Sequence, residues 1–297
     1  MKHIIQNSLS KFGYQLTKIK PEDDSSLYCQ CYPKTSLENR AFYNICAGGH
    51  FGFGGNFRHP LWTNIDVSFK GQKPSINTEK DIEHDLLKMK QLPIESNSAE
   101  LFHSRFTLEH ITDEAATIMF MEMHRCLKPG GICKIVVPNF ELDYIAYCKK
   151  DYLFFKWADK FSSQSMIDHM KFKIPLNQAS MEQIFIVHFA ANASTVHSDG
   201  AEIRITDEEV REIIQTEKFE NAMDYFCNKC SIEKQRKYRQ NHISWWSYEK
   251  VERYFKNAGF KQIYPLSPRQ SIAPVMRSNN NFDNLWNDVV LCMEAIK

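Results

Sequence analysis

Residues 99 to 140 read "AELFHSRFTLEHITDEAATIMFMEMHRCLKPGGICKIVVPNF". The first eight, "AELFHSRF", form an apolar-rich run of strand length. Thr112 then stands where a helix cap belongs, with Asp113 and Glu114 in the first turn, where carboxylates suit the positive end of the helix dipole. "KPGG" stops this helix after Leu127, and the apolar run "ICKIVV" makes a buried strand that halts at Pro138. Strand, helix, strand in this order predicts parallel neighbours joined by a right-handed crossover.

The same grammar precedes the stretch. "YNIC" (43–46) reads as a first strand, "TNIDVSF" (63–69) as a second carrying Asp66 at its end, and "DIEHDLL" (81–87) as a short third. The run at 99 is then the fourth strand and "ICKIVV" the fifth. Downstream, "SYEKVERYFKNAGF" puts Val251, Tyr254, Phe255 and Ala258 on one helical face, with Gly259 at the stop. "FKQIYPL" and "DVVLCMEAIK" follow with a polar, asparagine-rich loop and no helix between them, so they pair antiparallel.

The expected fold class is α/β: a doubly wound, mostly parallel seven-stranded sheet with the last strand antiparallel, plus a mainly helical insertion covering the substrate site. The chain divides into an N-terminal extension (1–40), a cofactor-binding Rossmann-like core (41–140), an insertion forming an acceptor-binding cap (141–243), and a C-terminal helix with antiparallel strands completing the core (244–297). The insertion belongs over the carboxyl ends of the strands, where doubly wound sheets bind ligands.

Composition narrows the function classes. The 297 residues are 43% hydrophobic and 25% charged, which fits a folded globular chain rather than a disordered one. Lys and Arg number 37 against 36 for Asp and Glu, so no global field draws the chain to nucleic acid or an anionic membrane. No apolar run approaches the roughly 20 residues of a transmembrane helix, and the opening "MKHIIQNSLSKFGYQLTKIK" lacks the features of a signal peptide. A cytoplasmic location and no nucleic-acid partner are the expectations. Nine scattered cysteines fit a reducing compartment. Cys227 and Cys230 form a C-x-x-C upstream of His242, but with no second C-x-x-C and no H-x3–5-H they read as buried thiols on a helix rather than a zinc site. Cys29 and Cys31, one residue apart, read as strand residues rather than as ligands of one metal.

Residues 43–66, "YNICAGGHFGFGGNFRHPLWTNID", place five glycines in eight residues between the first strand and the second. Such a turn lets backbone approach a ligand, and the N-terminus of a following helix offers unpaired N–H groups to a carboxylate. Asp66, eighteen residues after Gly48, is placed to accept hydrogen bonds from both hydroxyls of a ribose. The dinucleotide pattern G-x-G-x-x-G is not present, because Gly52, Gly54 and Gly55 are wrongly spaced for it.

Taken in order, "NICAGG" to "WTNID", "HDLLKMKQLP", "LFHSRFTLEHI" and "MEMHRCLKPGGICKIVVPNF" resemble the class I S-adenosylmethionine-dependent methyltransferases. The resemblance is strongest to the small-molecule branch associated with bacterial polysaccharide biosynthesis. It covers about residues 41–146 and, more loosely, 242–297. It implies S-adenosylmethionine as cofactor and S-adenosylhomocysteine as product. It also implies a cofactor site of Cys46, Ala47, Gly48 and Gly49 in the turn, Asp66 on the ribose, Asp85 beside the adenine with Leu86 against its face, and Ser104 and Phe106 along the methionine arm. The chain departs from the family's G-x-G-x-G, which is replaced by Ala47, Gly48, Gly49, His50, Phe51 and Gly52. Glu100 stands where an aspartate is commoner, and Asn139 where relatives tend to read Pro-Asp.

A sulfonium methyl is already activated, so nitrogen or thiolate acceptors need little beyond in-line geometry, whereas an alcohol must also lose its proton to a base. Four histidines are candidates: His110 in "LEH", His188 and His197 in "VHFAANASTVHSDG", and His242 in "NHISWWSYEK" beside Trp245 and Trp246. Each also reads as a packed or loop histidine. No cluster of aspartates follows the fourth strand, so no metal ligand is assigned and metal-free base catalysis is expected. Tyr144, Tyr147, Tyr152, Phe154, Phe155 and Trp157 offer stacking faces for a sugar or nucleotide, or serve as core. "EKQRKYR" (233–239) pairs with a substrate phosphate or is a solvated face. The best reading is a methyltransferase acting on a small-molecule acceptor, O-methylating a sugar or sugar nucleotide in surface polysaccharide biosynthesis. A phosphate-bearing or other small metabolite as acceptor, and a non-catalytic cofactor-binding protein of the same fold, stand as alternatives.

Overall fold

The strands at 99–105 and 127–138 lie side by side and parallel, and the rest of the sheet grows from them. In this computed structural model, which describes residues 24–46, 59–67, 81–200, 202–278, 282 and 287–297, the strands are β1 (Phe42–Ile45), β2 (Trp62–Asp66), β3 (Ile82–Glu83), β4 (Ala99–Arg105), β5 (Leu127–Pro138), β6 (Gln262–Leu266) and β7 (Val290–Ile296). They form one seven-stranded sheet in the order β3-β2-β1-β4-β5-β7-β6. β7 runs antiparallel to both of its neighbours, and the pairs from β3 to β5 are parallel. Register aligns the carboxyl ends of β1, β2 and β4, with Ile45 opposite both Ile65 and Ser104. The order reverses between β1 and β4, the point at which doubly wound sheets open a crevice for ligands.

Both faces of the sheet are covered, as parallel strands require. On one face Phe102, Ile135, Val137, Leu291 and Met293 belong to the main core, together with helices α3 (Asp113–Cys126) and α10 (Tyr248–Ala258). On the other, Phe42, Trp62 and Leu101 pack with Tyr28 of α1 (Ser25–Cys31) and with Val275 and Met276. The Trp62 indole donates to the Tyr28 hydroxyl at 2.6 Å, so this part of the N-terminal segment is fastened to the sheet. Helix α2 (Lys34–Glu38) leads into β1, where the buried Arg40 guanidinium donates to the Trp62 carbonyl.

Local chemistry sets the helix ends. Thr112 accepts from the Ala115 N–H at 3.3 Å, and Asp113 and Glu114 occupy the first turn of α3. Ser247 caps α10 in the same way, and Gly259 ends it at φ 103°, a left-handed conformation that disfavours any residue with a Cβ. α3 and α10 meet through Phe120, whose ring lies 4.9 Å from that of Phe255.

Three expectations change. The α3 helix ends at Cys126, because Leu127 is already extended (ψ 140°), and β5 starts there rather than at Ile132. "KPGG" lies within this longer strand as an irregularity in the pairing with β4. Gly131 is enclosed by the Leu127 side chain and two backbone oxygens, 2.9 to 3.1 Å from where a Cβ would sit. Third, Cys29 and Cys31 lie on helix α1, not on a strand, and both are exposed.

Between β5 and α10 the chain is helical: α4 (Phe140–Cys148), α5 (Gln164–Met170), α6 (Met181–Ala190), α7 (Asp207–Thr216), α8 (Phe219–Cys227) and α9 (Ile232–Lys237). α6 is the centre of this layer, with Phe185, Ile186 and Phe189 fully buried. Tyr147 stacks on Phe185 at 4.9 Å and Tyr144 meets Phe219 at 5.0 Å, so these aromatics build the layer's own core. Tyr152 is 69% exposed.

Candidate active site

Several sequence-predicted cofactor residues converge on the edge where the strands end. Cys46 follows β1 with φ 53° and donates its N–H to the Ile65 carbonyl. Asp66 ends β2, and His84 N–H bonds to its carbonyl at 2.8 Å, which draws the segment after β3 alongside. Asp85 accepts from the Leu87 N–H at 3.0 Å and starts a short turn holding the buried Leu86. Ser104 donates to the Thr107 hydroxyl at 2.8 Å, and Thr107 in turn reaches the Ile45 carbonyl. The Cys46 thiol is pushed far up by burial, with Asp66, Glu109 and Asp85 adding to the rise and a hydrogen bond to Thr107 opposing it. That thiol therefore sits among the acidic groups of this edge. Phe106 adopts φ 52° and packs toward Val136, Val290 and Cys292 on the other face of the sheet. Ala47, Gly48 and Gly49 lie outside the described residues.

Immediately after β4, the turn Leu108–His110 brings a second group together. The chain at 241–246 is laced to this turn: Ile243 N–H donates to the Glu109 carbonyl at 2.8 Å and Ser244 Oγ to the Leu108 carbonyl at 2.7 Å. Nδ1 of His110 donates to the Asn241 carbonyl at 3.1 Å, and Nδ1 of His242 to the His188 carbonyl. The His110 and His242 rings are 4.8 Å apart, and those of His242 and His188 are 6.1 Å apart. Three of the four predicted histidines thus form a row at the carboxyl end of β4.

Burial sets their charge. It lowers His110 to about 4, against a weaker upward pull from the Asn241 carbonyl, and it lowers His242 strongly, with His110 and His188 adding to the effect. Both rings are neutral at pH 7. Glu109, 1% exposed, is raised by burial to about 8, and its Oε2 has no partner among the described residues. His188 differs: its Nδ1 lies 2.8 Å from both oxygens of the fully buried Asp143 on α4, and its ring packs 4.6 Å from Trp157. Asp143 is itself raised by burial, with His188 opposing the rise.

The fourth candidate, His197, is not brought into the row. Its ring packs edge-on against Phe172, and its carbonyl accepts from Arg204. The thiols of Cys227 and Cys230 point to the carbonyls of Phe189 and His242, not to the imidazole of His242. In "EKQRKYR", Arg236 reaches the Leu87 carbonyl at 3.5 Å and Lys237 lies over the Tyr238 ring, so helix α9 borders the predicted adenine side. The reading from residue types missed Glu109 and Asp143. Glu109 was visible in "LEH", whereas nothing local marked Asp143, whose partner lies 45 residues away.

Comparison with known proteins follows the same segment. Residues 61–135 match the family model described as a methyltransferase domain. No curated protein matches the chain. Among solved structures, it is similar to an S-adenosylmethionine-dependent methyltransferase from Mesorhizobium loti, at 13% identity over 93% of this chain and 99% of that one, with a TM-score of 0.34. Another, from Thermotoga maritima and described as a possible histamine N-methyltransferase, is 11% identical over the whole of both chains, with a TM-score of 0.32. A third is Haemonchus contortus phosphoethanolamine N-methyltransferase 2 in complex with S-adenosyl-L-methionine, 15% identical over 86% of this chain and 48% of that one, with a TM-score of 0.34. The family match runs from just before β2 into β5 and so spans the segment that carries Asp66, Asp85, Ser104 and Glu109. No helix among the described residues is long and apolar enough to cross a membrane.

Proposed function

We propose that the chain transfers a methyl group from S-adenosylmethionine to a hydroxyl of a small polyhydroxylated acceptor, a sugar or sugar nucleotide of the kind used to build surface polysaccharides. Residues 141–243 form the cap over that acceptor. The observation that carries this reading is the His188–Asp143 dyad at one end of the histidine row. An alcohol is a poor nucleophile until its proton leaves, and a histidine held by a carboxylate is suited to take it. Asp143 accepts from Nδ1–H, fixes the tautomer and stabilises the imidazolium that forms, which leaves Nε2 as the proton acceptor. In the transfer the acceptor O–H proton passes to Nε2 of His188 and an oxygen electron pair bonds the methyl carbon. The carbon–sulfur pair returns to sulfur, leaving neutral S-adenosylhomocysteine.

A polyhydroxylated acceptor suits the unpaired groups nearby. Trp157 Nε1 and Asn241 Oδ1 are buried and have no protein partner among the described residues. Sugar hydroxyls supply both donors and acceptors to such atoms. On the cofactor side, Cys46, Ala47, Gly48, Gly49, Asp66, Asp85, Leu86, Ser104 and Phe106 are the residues proposed to hold the donor.

The test combines labelled S-adenosylmethionine, a panel of sugars and sugar nucleotides, and calorimetry with S-adenosylhomocysteine. His188→Asn and Asp143→Asn should each lower kcat by about 10^2 to 10^4 while cofactor affinity holds. Asp66→Ala should weaken S-adenosylhomocysteine by about 1.5 to 3 kcal/mol, the range for hydrogen bonds to a charged group. If His188→Asn keeps kcat within about threefold, under 1 kcal/mol of barrier, the base is wrong and the acceptor is a nitrogen or an ionised oxygen.

A further inference from the structure

Glu109, His110 and His242 each offer a ligand atom within 4.8 Å of the other two, and His110 Nε2 lies 4.0 Å from Glu109 Oε1. The two rings are set alike. Each spends Nδ1–H on a backbone carbonyl, Asn241 for His110 and His188 for His242, which fixes the tautomer with the lone pair on Nε2. Metal-bound histidines are held in this way, the second nitrogen donating to a carbonyl or carboxylate that orients the ring. The carboxylate supplies an independent observation: Glu109 is 1% exposed and its Oε2 is buried without a partner among the described residues.

We propose that Glu109, His110 and His242 form a binding site for a divalent transition ion, with zinc as the natural occupant. Two imidazoles and one carboxylate match zinc's preference, and three protein ligands leave a coordination position open. Ligand atoms around a tetrahedral ion with bonds of about 2.1 Å lie about 3.4 Å apart, so side-chain shifts under about 1 Å close the site. The open position would take the acceptor oxygen and lower the pKa of its hydroxyl. The proton would still pass to His188, whose ring is 6.1 Å from that of His242. This role rests on the O-methyl transfer proposed above, whereas the binding of the ion does not.

The experiment uses the full chain, stripped with a chelator and titrated with Co2+ alone, read by calorimetry and by visible absorption of the bound ion. One Co2+ per chain, displaced by Zn2+, is the expected result. Glu109→Gln keeps the neutral shape of the protonated side chain and should bind S-adenosylhomocysteine normally. It should lose more Co2+ affinity than the roughly 10–100-fold that removal of an outer-shell partner costs. His242→Asn should do the same, while a Cys227→Ser, Cys230→Ser double variant should bind Co2+ as the parent does. Absence of binding, or binding insensitive to Glu109→Gln, overturns the site, and loss of binding in the cysteine variant assigns the ion elsewhere and overturns it too. Co2+ binding without methylation of any alcohol would leave the site standing and remove the acceptor reading instead.

Discussion

His197 is 1% exposed, and burial lowers it to about 4, with Arg204 adding to the effect. Its folded pKa is depressed below the unfolded value of about 6.5, so the unfolded chain binds the extra proton first. The stability linked to His197 is present in full above about pH 6.5 and is lost as pH falls toward 4. At pH 5 the loss is about 2 kcal/mol relative to pH 7. Urea unfolding of the parent and of His197→Gln at the two pH values checks this: the variant should lose less stability on acidification, and equal losses would show that the ring is not held neutral. Glu109 illustrates a different limit at this scale. It stands beside His110 in "LEH", yet residue type alone favoured the histidine as a base and aspartates as metal ligands. Only the fold shows the carboxylate buried against two imidazoles whose Nδ1 atoms are already committed.

At the scale of elements, α3 and its flanking strands follow from short-range rules. The Thr112 hydroxyl satisfies one of the N–H groups that a helix start leaves unpaired, and Asp113 and Glu114 oppose the dipole. Thr112→Ala should therefore lower stability by about 0.5 to 2 kcal/mol in denaturant unfolding, while Thr112→Asp should restore most of it. An alanine variant as stable as the parent would mean that tertiary packing alone holds this end. Element identity was legible wherever one face is apolar at a fixed period, as at Val251, Tyr254, Phe255 and Ala258. Boundaries were not. Leu127 joined β5 instead of α3 because its backbone pairs with Ala99 across the sheet, a contact 28 residues distant that no local signal announces. The pair Cys29 and Cys31 misled for the complementary reason: two residues are too few to separate a period of 2 from one of 3.6.

Across the whole molecule, the strand order places the carboxyl ends of β1, β2 and β4 together, and the helices between β5 and α10 reach that edge through 241–246. Trp157 belongs to this layer, its ring against His188 and its indole N–H buried without a partner among the described residues. Trp157→Phe keeps the ring and removes the donor. It should raise the acceptor KM by about fivefold, roughly 1 kcal/mol for one hydrogen bond, and leave S-adenosylhomocysteine affinity unchanged. A variant that loses cofactor affinity and acceptor KM together would mean that the residue supports the fold rather than the acceptor. The sequence by itself determined the parallel sheet, the antiparallel final strand and the aspartate that ends β2, because apolar period, caps and glycine stops act over a few residues and need no partner. Tertiary structure decided which polar groups meet. Asp143 finds His188 across 45 residues and His110 finds Asn241 across 131. Such pairs form when buried polar atoms must be satisfied at the meeting of two layers, a condition set by packing and not by any pattern along the chain.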